Sequence, residues 1–383
     1  MNLVTIVGAG PVGLKAAIDL QSEGWHTVVL EEDKAVGEPE NCSGLISVSG
    51  LKLAGVTASG VITNEIFGAR IFSPNKKHVL EIKKSSPVAV VVNRTKFDQK
   101  IAREAEKKGV EIKHNCRLIN VNGETLFVQK EGHGEIIKSR IVLGADGVNS
   151  KVREIMGTKV PKENYIHSIQ VKATGDFDQK LVEMYFNEEA KDFFAWVIPE
   201  GNGSAKIGLG TRLGLNPKQA LDKFIERDLA DKNVQVKSLA SFLIPVSKPL
   251  DQIVKGNLLI AGDAAHQVKA TTGGGLVTGI IAGRLAAKAV SNHLKHKTSL
   301  DEYKKHVQKL NKELELHYKI RKYFNSLSLQ QVDDLMLKLK KAKIEEFLEK
   351  HGDMDRPTLF VNKFISNPSH WGLLPTGLKL LMS

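Results

Sequence analysis

The sequence predicts an α/β protein, and three observations lead there. Leu3–Val7 is a short, apolar, β-branched run that ends at Gly8-Ala9-Gly10-Pro11-Val12-Gly13 and continues into a segment with apolar residues at Leu14, Ala17, Ile18 and Leu20. That order reads as strand, glycine turn and helix, the opening of a Rossmann-type unit. Alternating segments at Val171–Thr174, Leu181–Phe186 and Lys206–Gly210 read as an antiparallel sheet. Beyond Ser291 the spacing turns helical, at Val332, Leu335, Met336 and Leu339 and again at Ile344, Phe347 and Leu348, before an apolar Trp371–Pro375 stretch. A discontinuous nucleotide-binding domain is therefore expected over 1–50, 88–158 and 253–290. The substrate-side domain is expected over 51–87 and 159–252, and the helical C-terminal region over 291–383.

Composition excludes several classes. With 383 residues, 42% hydrophobic, 26% charged, 33 Gly and 12 Pro, the chain is neither collagenous nor disordered. The longest uncharged window, Phe364 to Leu378, has 15 residues, short of the roughly 20 that cross a bilayer. The start lacks the basic residues and cleavage site of a secretory signal, so a cytoplasmic protein is expected. Cys42 and Cys116 lie 74 residues apart, and the 12 His form no spaced set, so neither a disulfide framework nor a metal site is expected.

Charge is uneven. Of the net +12, +7 falls between Ile281 and Lys350, where 16 Lys/Arg stand against 9 Asp/Glu. Such a stretch is either a solvated helical face or a surface for anionic lipid, where each cation contributes about 1 kcal/mol. Nucleic acid is not expected, because no RNA-binding motif accompanies the charge and aromatic residues are only 6%.

The glycine turn carries its own chemistry. Gly8 permits the tight turn, Gly10 lets the backbone approach a pyrophosphate, and Gly13 lets the helix pack on the strand. The free N–H groups at the helix start, best placed around Val12, attract an anion. The next strand, Thr27–Leu30, leads to Glu31, 18 residues beyond Gly13. A carboxylate there accepts hydrogen bonds from both ribose hydroxyls of an adenosine and repels a 2′-phosphate. NAD and FAD share this opening, so the choice rests on later segments.

Three segments decide it. Asn93–Asp98 follows the apolar run Val88–Val92 and opens a helix; Ile141–Gly147 is a buried strand and turn; Leu258–Ala265 is another, followed by Thr271–Leu276 and an apolar helix. Asp263 ends its strand where it can bind ribityl hydroxyls, and the N–H groups at Gly275 and Leu276 can face the electron-rich edge of a reduced flavin. Asp146, before Gly147, reads as a carboxylate that orders its own turn. In this order the four segments resemble the FAD-binding framework of the family that includes p-hydroxybenzoate hydroxylase and the geranylgeranyl reductases. The resemblance implies that Arg94 contacts FAD near its phosphate or ribose portion. It also implies that Leu118 gives backbone contact near the adenine, and that Gly262 and Asp263 mark the ribityl–pyrophosphate side, with Gly274, Gly275 and Leu276 beyond.

Two stretches narrow the branch. Gly37–Ser47 is similar to the PxxCxG loop of archaeal and plant-type geranylgeranyl reductases, which implies that Cys42, Ser43 and Gly44 lie at the flavin ring. Phe194-Ala195-Trp196-Val197-Ile198-Pro199, followed by Gly208-Leu209-Gly210, resembles their YxWxFP…GxG element. The chain departs from it at Phe194, where the family has tyrosine, at Ile198, and at Asp192-Phe193, which replace a glycine pair. Phe194 and Trp196 are two apart on an expected strand and so share one side, either as core or as an aromatic wall for a long apolar substrate. His266 reads as a structural hydrogen-bond partner and Cys116 as inert.

The resemblance implies an FAD-dependent reductase that saturates prenyl double bonds of archaeal-type membrane lipids, with Cys42, Phe194 and Trp196 at the catalytic site. The expected partners are an isoprenoid lipid, a reduced donor that is either NAD(P)H or ferredoxin, and an anionic membrane touched peripherally. The alternatives on the same fold are an aromatic or quinone monooxygenase and a flavoprotein that passes electrons to a membrane quinone.

Overall fold

The computed structural model describes residues 2–356 together with Thr358 and Lys363; the apolar Trp371–Pro375 stretch lies outside them. The chain forms two compact units, one from 1–40, 94–161 and 245–314, the other from 41–93, 162–244 and 315–383.

The first unit is built on a sheet whose order is Val254–Lys255, Leu258–Ile260, His133–Gly144, Asn2–Val7, Thr27–Leu30 and Glu111–Lys113. From Leu258–Ile260 to Glu111–Lys113 every pairing is parallel, and only Val254–Lys255 runs against its neighbour. The inner strands Thr27–Leu30 and Leu258–Ile260 are buried throughout and read as short, mostly apolar runs, whereas the edge strand Glu111–Lys113 is exposed or half-buried. The helices Pro11–Ser22, Arg94–Lys107 and Leu276–His296 belong to this unit. Cys116–Asn122 and Thr125–Lys130 form a meander with the first half of His133–Gly144.

The second unit holds a seven-stranded sheet in the order Gln235–Pro245, Tyr165–Thr174, Ser204–Arg212, Ala195–Gly201, Leu181–Tyr185, Gly68–Phe72 and Val79–Lys83. From Tyr165–Thr174 to Val79–Lys83 the pairs are antiparallel except Leu181–Tyr185 beside Gly68–Phe72. One face carries Ile169, Val171, Ala205, Ile207 and Leu209, which pack with Leu221 and Phe224 of the Pro217–Asp228 helix. The alternation in the sequence thus marks the true core side. Leu80 packs with Val332, Met336, Ile344 and Phe347 of the helices Leu329–Lys341 and Ile344–His351, the same positions that set the helical spacing.

Several boundaries differ from those expected. Residues 41–50 and 88–93 join the second unit because Leu45–Ser47, Ala89–Val92 and Ile62–Ile66 pair with one another in a three-stranded sheet. Their apolar runs mark them as strands, but pairing partners are set at a distance along the chain. The helical C-terminal region is not one block, since the division falls at Leu314 within the Gln308–Asn325 helix.

Candidate functional site

In the first unit the glycine turn is shaped by close approach. Gly8 holds φ at +98°, and a Cβ there would lie 2.5 Å from the Ala145 carbonyl oxygen. A Cβ at Gly13 would lie 2.1 Å from the Gly8 carbonyl oxygen, so both positions admit only glycine. Gly10 differs: nothing lies within 4 Å of where its Cβ would be. That space is open for a ligand. The Pro11–Ser22 helix starts there with Pro11 in the first turn, no side-chain cap and no acidic residue. Its first N–H groups and positive dipole end therefore remain for an anion. Val12 has a second task, because Cβ atoms at Gly279 and Gly283 would meet it at 2.8 Å and 2.8 Å. Those two glycines bring the Leu276–His296 helix against the Pro11–Ser22 helix.

Glu31 lies directly at this turn. Its Oε2 accepts the Ala9 N–H at 2.8 Å and its Oε1 the Asp33 N–H at 2.9 Å. Burial raises its pKa above the ordinary carboxylate value, against the pull of these two bonds. Leu118 stands on Cys116–Asn122, whose first residue donates its N–H to the Glu31 carbonyl at 2.7 Å. Its backbone is thereby held near the end of the Thr27–Leu30 strand.

Arg94 opens its helix with the guanidinium bound two-fold to Asp98, at 3.0 Å and 2.8 Å. It also exerts an electrostatic pull on Asp263. Asp263, in the short turn Gly262–Ala265, is half-buried. Burial raises its pKa, with Arg94 opposing, and its carboxylate accepts no hydrogen bond among the described residues. A Cβ on Gly275 would lie 2.6 Å from Asp263 Oδ1, which places the carboxylate at the uncapped start of the Leu276–His296 helix. Gly274 accepts the Lys269 N–H through its carbonyl at 3.2 Å and has the Lys269 side chain lying over it.

Asp146 does order its own turn, taking the Ser150 hydroxyl at 2.6 Å and the Val152 N–H at 3.0 Å. His266 is fully buried with Nδ1 2.7 Å from the Ser247 hydroxyl, and burial lowers its pKa to about 3. It is neutral at physiological pH and holds structure. Sequence reasoning missed Arg153, which spans the Val148 and Ala264 carbonyls at 2.7 Å and 3.1 Å. This buried arginine ties the Asp146 turn to the Asp263 turn, and only the fold brings those turns together.

The second unit gathers a different set. Trp196 lies on Ala195–Gly201, and Phe194 immediately precedes that strand rather than lying on it. Their rings pack at 5.8 Å and 64°, and Phe194 stacks on Phe193 at 4.3 Å. The Trp196 indole N–H donates to Gln170 Oε1 at 3.2 Å. A Cβ on Gly208 would come within 2.5 Å of the Trp196 ring, and one on Gly210 within 2.6 Å of Phe193. The GxG pair is therefore the floor on which these rings rest.

Cys42 is half-buried, with Sγ accepting the Gly44 N–H at 3.5 Å. The Gly44 carbonyl accepts from Val92 N–H at 3.0 Å, and Ser43 Oγ stands 3.5 Å from Leu45 N. Under this loop sits Lys206, fully buried, which the sequence reading also missed. Cys116 is buried and its thiol pKa raised by that burial, as befits an unreactive residue.

The residues present in the first unit fit a flavin dinucleotide. Gly10 leaves the space, the uncapped helix offers N–H groups, Glu31 lies at the same turn, and the Asp263 carboxylate accepts no hydrogen bond among the described residues. Comparison with known proteins agrees: the family described as FAD binding domain matches residues 2–315. A digeranylgeranylglycerophospholipid reductase of Methanocaldococcus jannaschii is 31% identical, over 87% of this chain and 89% of that one. The chain belongs to the geranylgeranyl reductase family of FAD-binding proteins. The corresponding reductase of Methanothrix thermoacetophila is 29% identical, over 87% and 90% of the two chains. Among solved structures, a geranylgeranyl bacteriochlorophyll reductase-like protein from Thermoplasma acidophilum superposes with TM-score 0.84 at 23% identity, over 97% and 98%. The flavin-dependent brominase Bmp2 shares the fold at TM-score 0.72 and 16% identity, over 94% and 98%. As a family member the protein is an FAD-dependent reductase. Among the described residues there is no helix long and apolar enough to cross a membrane and no cluster suited to a metal ion.

Proposed function

We propose that this reductase saturates the isolated double bonds of geranylgeranyl chains in archaeal-type membrane lipids. The supporting observation is the pairing of an open dinucleotide cradle with roughly 30% identity to named digeranylgeranylglycerophospholipid reductases along nearly nine-tenths of the chain. In this reading the uncapped start of Pro11–Ser22 binds the pyrophosphate, Glu31 the adenosine ribose, and Asp263 the ribityl hydroxyls. Arg94 serves the phosphate or ribose portion and Leu118 the adenine side. N–H groups at Gly275 and Leu276 stabilise negative charge on the reduced ring. When bound, reduced FAD supplies hydride.

A trisubstituted alkene is electron-rich, so an acid must reach one carbon as hydride reaches the more substituted one. Cys42, or a water that its thiol holds, is the proton source in this proposal, with Ser43 and Gly44 fixing the loop. Phe194 and Trp196 present apolar surface to the prenyl chain and keep water from it. The electrons come from NAD(P)H or a ferredoxin that docks transiently. The excess of lysine and arginine between Ile281 and Lys350 supports peripheral binding to the cytoplasmic face of an anionic membrane. Flotation with anionic vesicles should retain the protein at low salt and release it at high salt.

The deciding experiment mixes anaerobically reduced holoenzyme with a geranylgeranyl lipid. Reoxidation of the flavin with a product heavier by two hydrogens per bond supports the reductase. Reoxidation only by oxygen with a hydroxylated ring, or only by a quinone, would replace it with one of the alternatives.

A further inference from the structure

The Lys206 ammonium occupies a position that a lysine rarely takes. Its strand, Ser204–Arg212, alternates: Ala205, Ile207 and Leu209 enter the apolar cluster beneath the sheet, and Lys206 projects from the opposite face, fully buried. Burying an ammonium is costly unless it is paired and hydrogen-bonded. Here Nζ donates to the Cys42 carbonyl at 3.1 Å and to the Ser43 carbonyl at 3.1 Å, and pairs with Glu200 Oε1 at 3.3 Å. Successive carbonyls of an extended chain point in opposite directions. For two in a row to meet one cation the backbone must be bent, and Gly44, with φ +75°, lies directly after them. A charge-assisted bond is about twice as strong as a neutral one, and this loop has two to a single nitrogen.

We infer that Lys206, neutralised by Glu200, is a positioning residue for the active-site loop: it grips the carbonyls of Cys42 and Ser43 and so fixes where the Cys42 thiol points. The inference rests on the proposed role of Cys42 in prenyl reduction, while the loop geometry stands independently of it. Lys206 acts through the backbone of its neighbour and donates no proton to substrate. Glu200, 13% exposed at its side chain, keeps the buried charge balanced.

The test uses FAD-loaded full-length chain and reads three quantities: flavin content, iodoacetamide alkylation of Cys42, and kcat and KM with a geranylgeranyl lipid. Cys116 is 1% exposed, so alkylation of folded protein reports on Cys42. In Lys206→Met the released loop should raise the alkylation rate on the order of tenfold, since each 1.4 kcal/mol of lost restraint is a factor of ten. A thiol displaced by about 1 Å should lower kcat roughly 100-fold with KM and flavin content little changed. Glu200→Gln, which leaves the lysine and its two carbonyls in place, should shift both in the same direction by less. If Lys206→Met does not fold, the double variant Glu200→Leu/Lys206→Met removes both charges and serves instead. Folded variants that alkylate and turn over like the parent would overturn the inference. An altered alkylation rate in a protein that reduces no prenyl lipid would keep the loop assignment and reject the substrate proposal.

Discussion

The glycines of the two units look alike in sequence and do opposite work. In Gly8-Ala9-Gly10 the middle of the motif opens outward: beyond Gly10 there is no protein atom within 4 Å. In Gly208-Leu209-Gly210 the space is filled by the chain's own rings, Trp196 and Phe193. Gly10 leaves its space open, whereas Gly208 and Gly210 make room for the chain's own aromatic rings. Spacing alone does not separate these uses, because both follow from the same missing Cβ. What decides is what a Cβ would touch.

Substitutions that sharpen this contrast fall in a definite order. Gly10→Val should have the largest effect, weakening FAD binding on the order of 100-fold, about 2.7 kcal/mol. Its apo-protein melting temperature should be unchanged, because the side chain enters empty space; calorimetry and flavin titration read the two effects separately. Gly208→Ala should do the reverse. It forces a methyl against the Trp196 ring and the Ile169 carbonyl, at 2.5 Å and 2.7 Å, and overpacking of this kind costs about 1–3 kcal/mol of stability. Flavin content of the folded fraction should stay the same. A Gly10→Val protein that keeps its flavin would break the comparison outright.

Asp263→Asn comes next, with about tenfold weaker FAD binding, or 1.4 kcal/mol, from loss of the charged acceptor proposed for the ribityl hydroxyls. Its stability should move the other way. Asp263 has a folded-state pKa raised by burial, so its charge destabilises the apo-protein above the ordinary carboxylate range. The asparagine variant should therefore be more stable than the parent at neutral pH, and the gain should vanish as pH falls through that range. Denaturant titrations at a series of pH values would show the convergence; an asparagine variant that is less stable at pH 7 would refute the assignment. The smallest change is Trp196→Phe. It removes the bond to Gln170 and leaves a buried amide oxygen unanswered, for about 1 kcal/mol. Thermal melts should register it without loss of flavin.

Legibility followed locality. Gly8 to Gly13 and Glu31 could be read directly, because a strand, turn and helix in sequence are neighbours in space. Asp146 was equally local, a turn cap; the pairing of Arg94 with Asp98 appeared only in the structure. Lys206 was not legible. A single lysine inside an apolar strand looks like a surface residue until Cys42, far earlier in the chain, is seen to supply its acceptors. Gly279 and Gly283 likewise declare themselves only against Val12. The run Val88–Val92 announced a strand, and its hydrogen bonds went to Leu45–Ser47 and Ile62–Ile66 instead of the nucleotide-binding sheet.

By itself the chain's order of residues determined its elements and the glycine turn of Gly8 to Gly13 with Glu31 beside it. Those depend on periodicity, backbone freedom and short loops, all of which act over a few residues. The tertiary structure alone decided which strands share a sheet, how an ammonium could be buried beneath the Cys42 loop, and which glycines face empty space. Each of those is set by groups distant in sequence, where the desolvation of a charge or the filling of a volume can be judged only after both partners are in place.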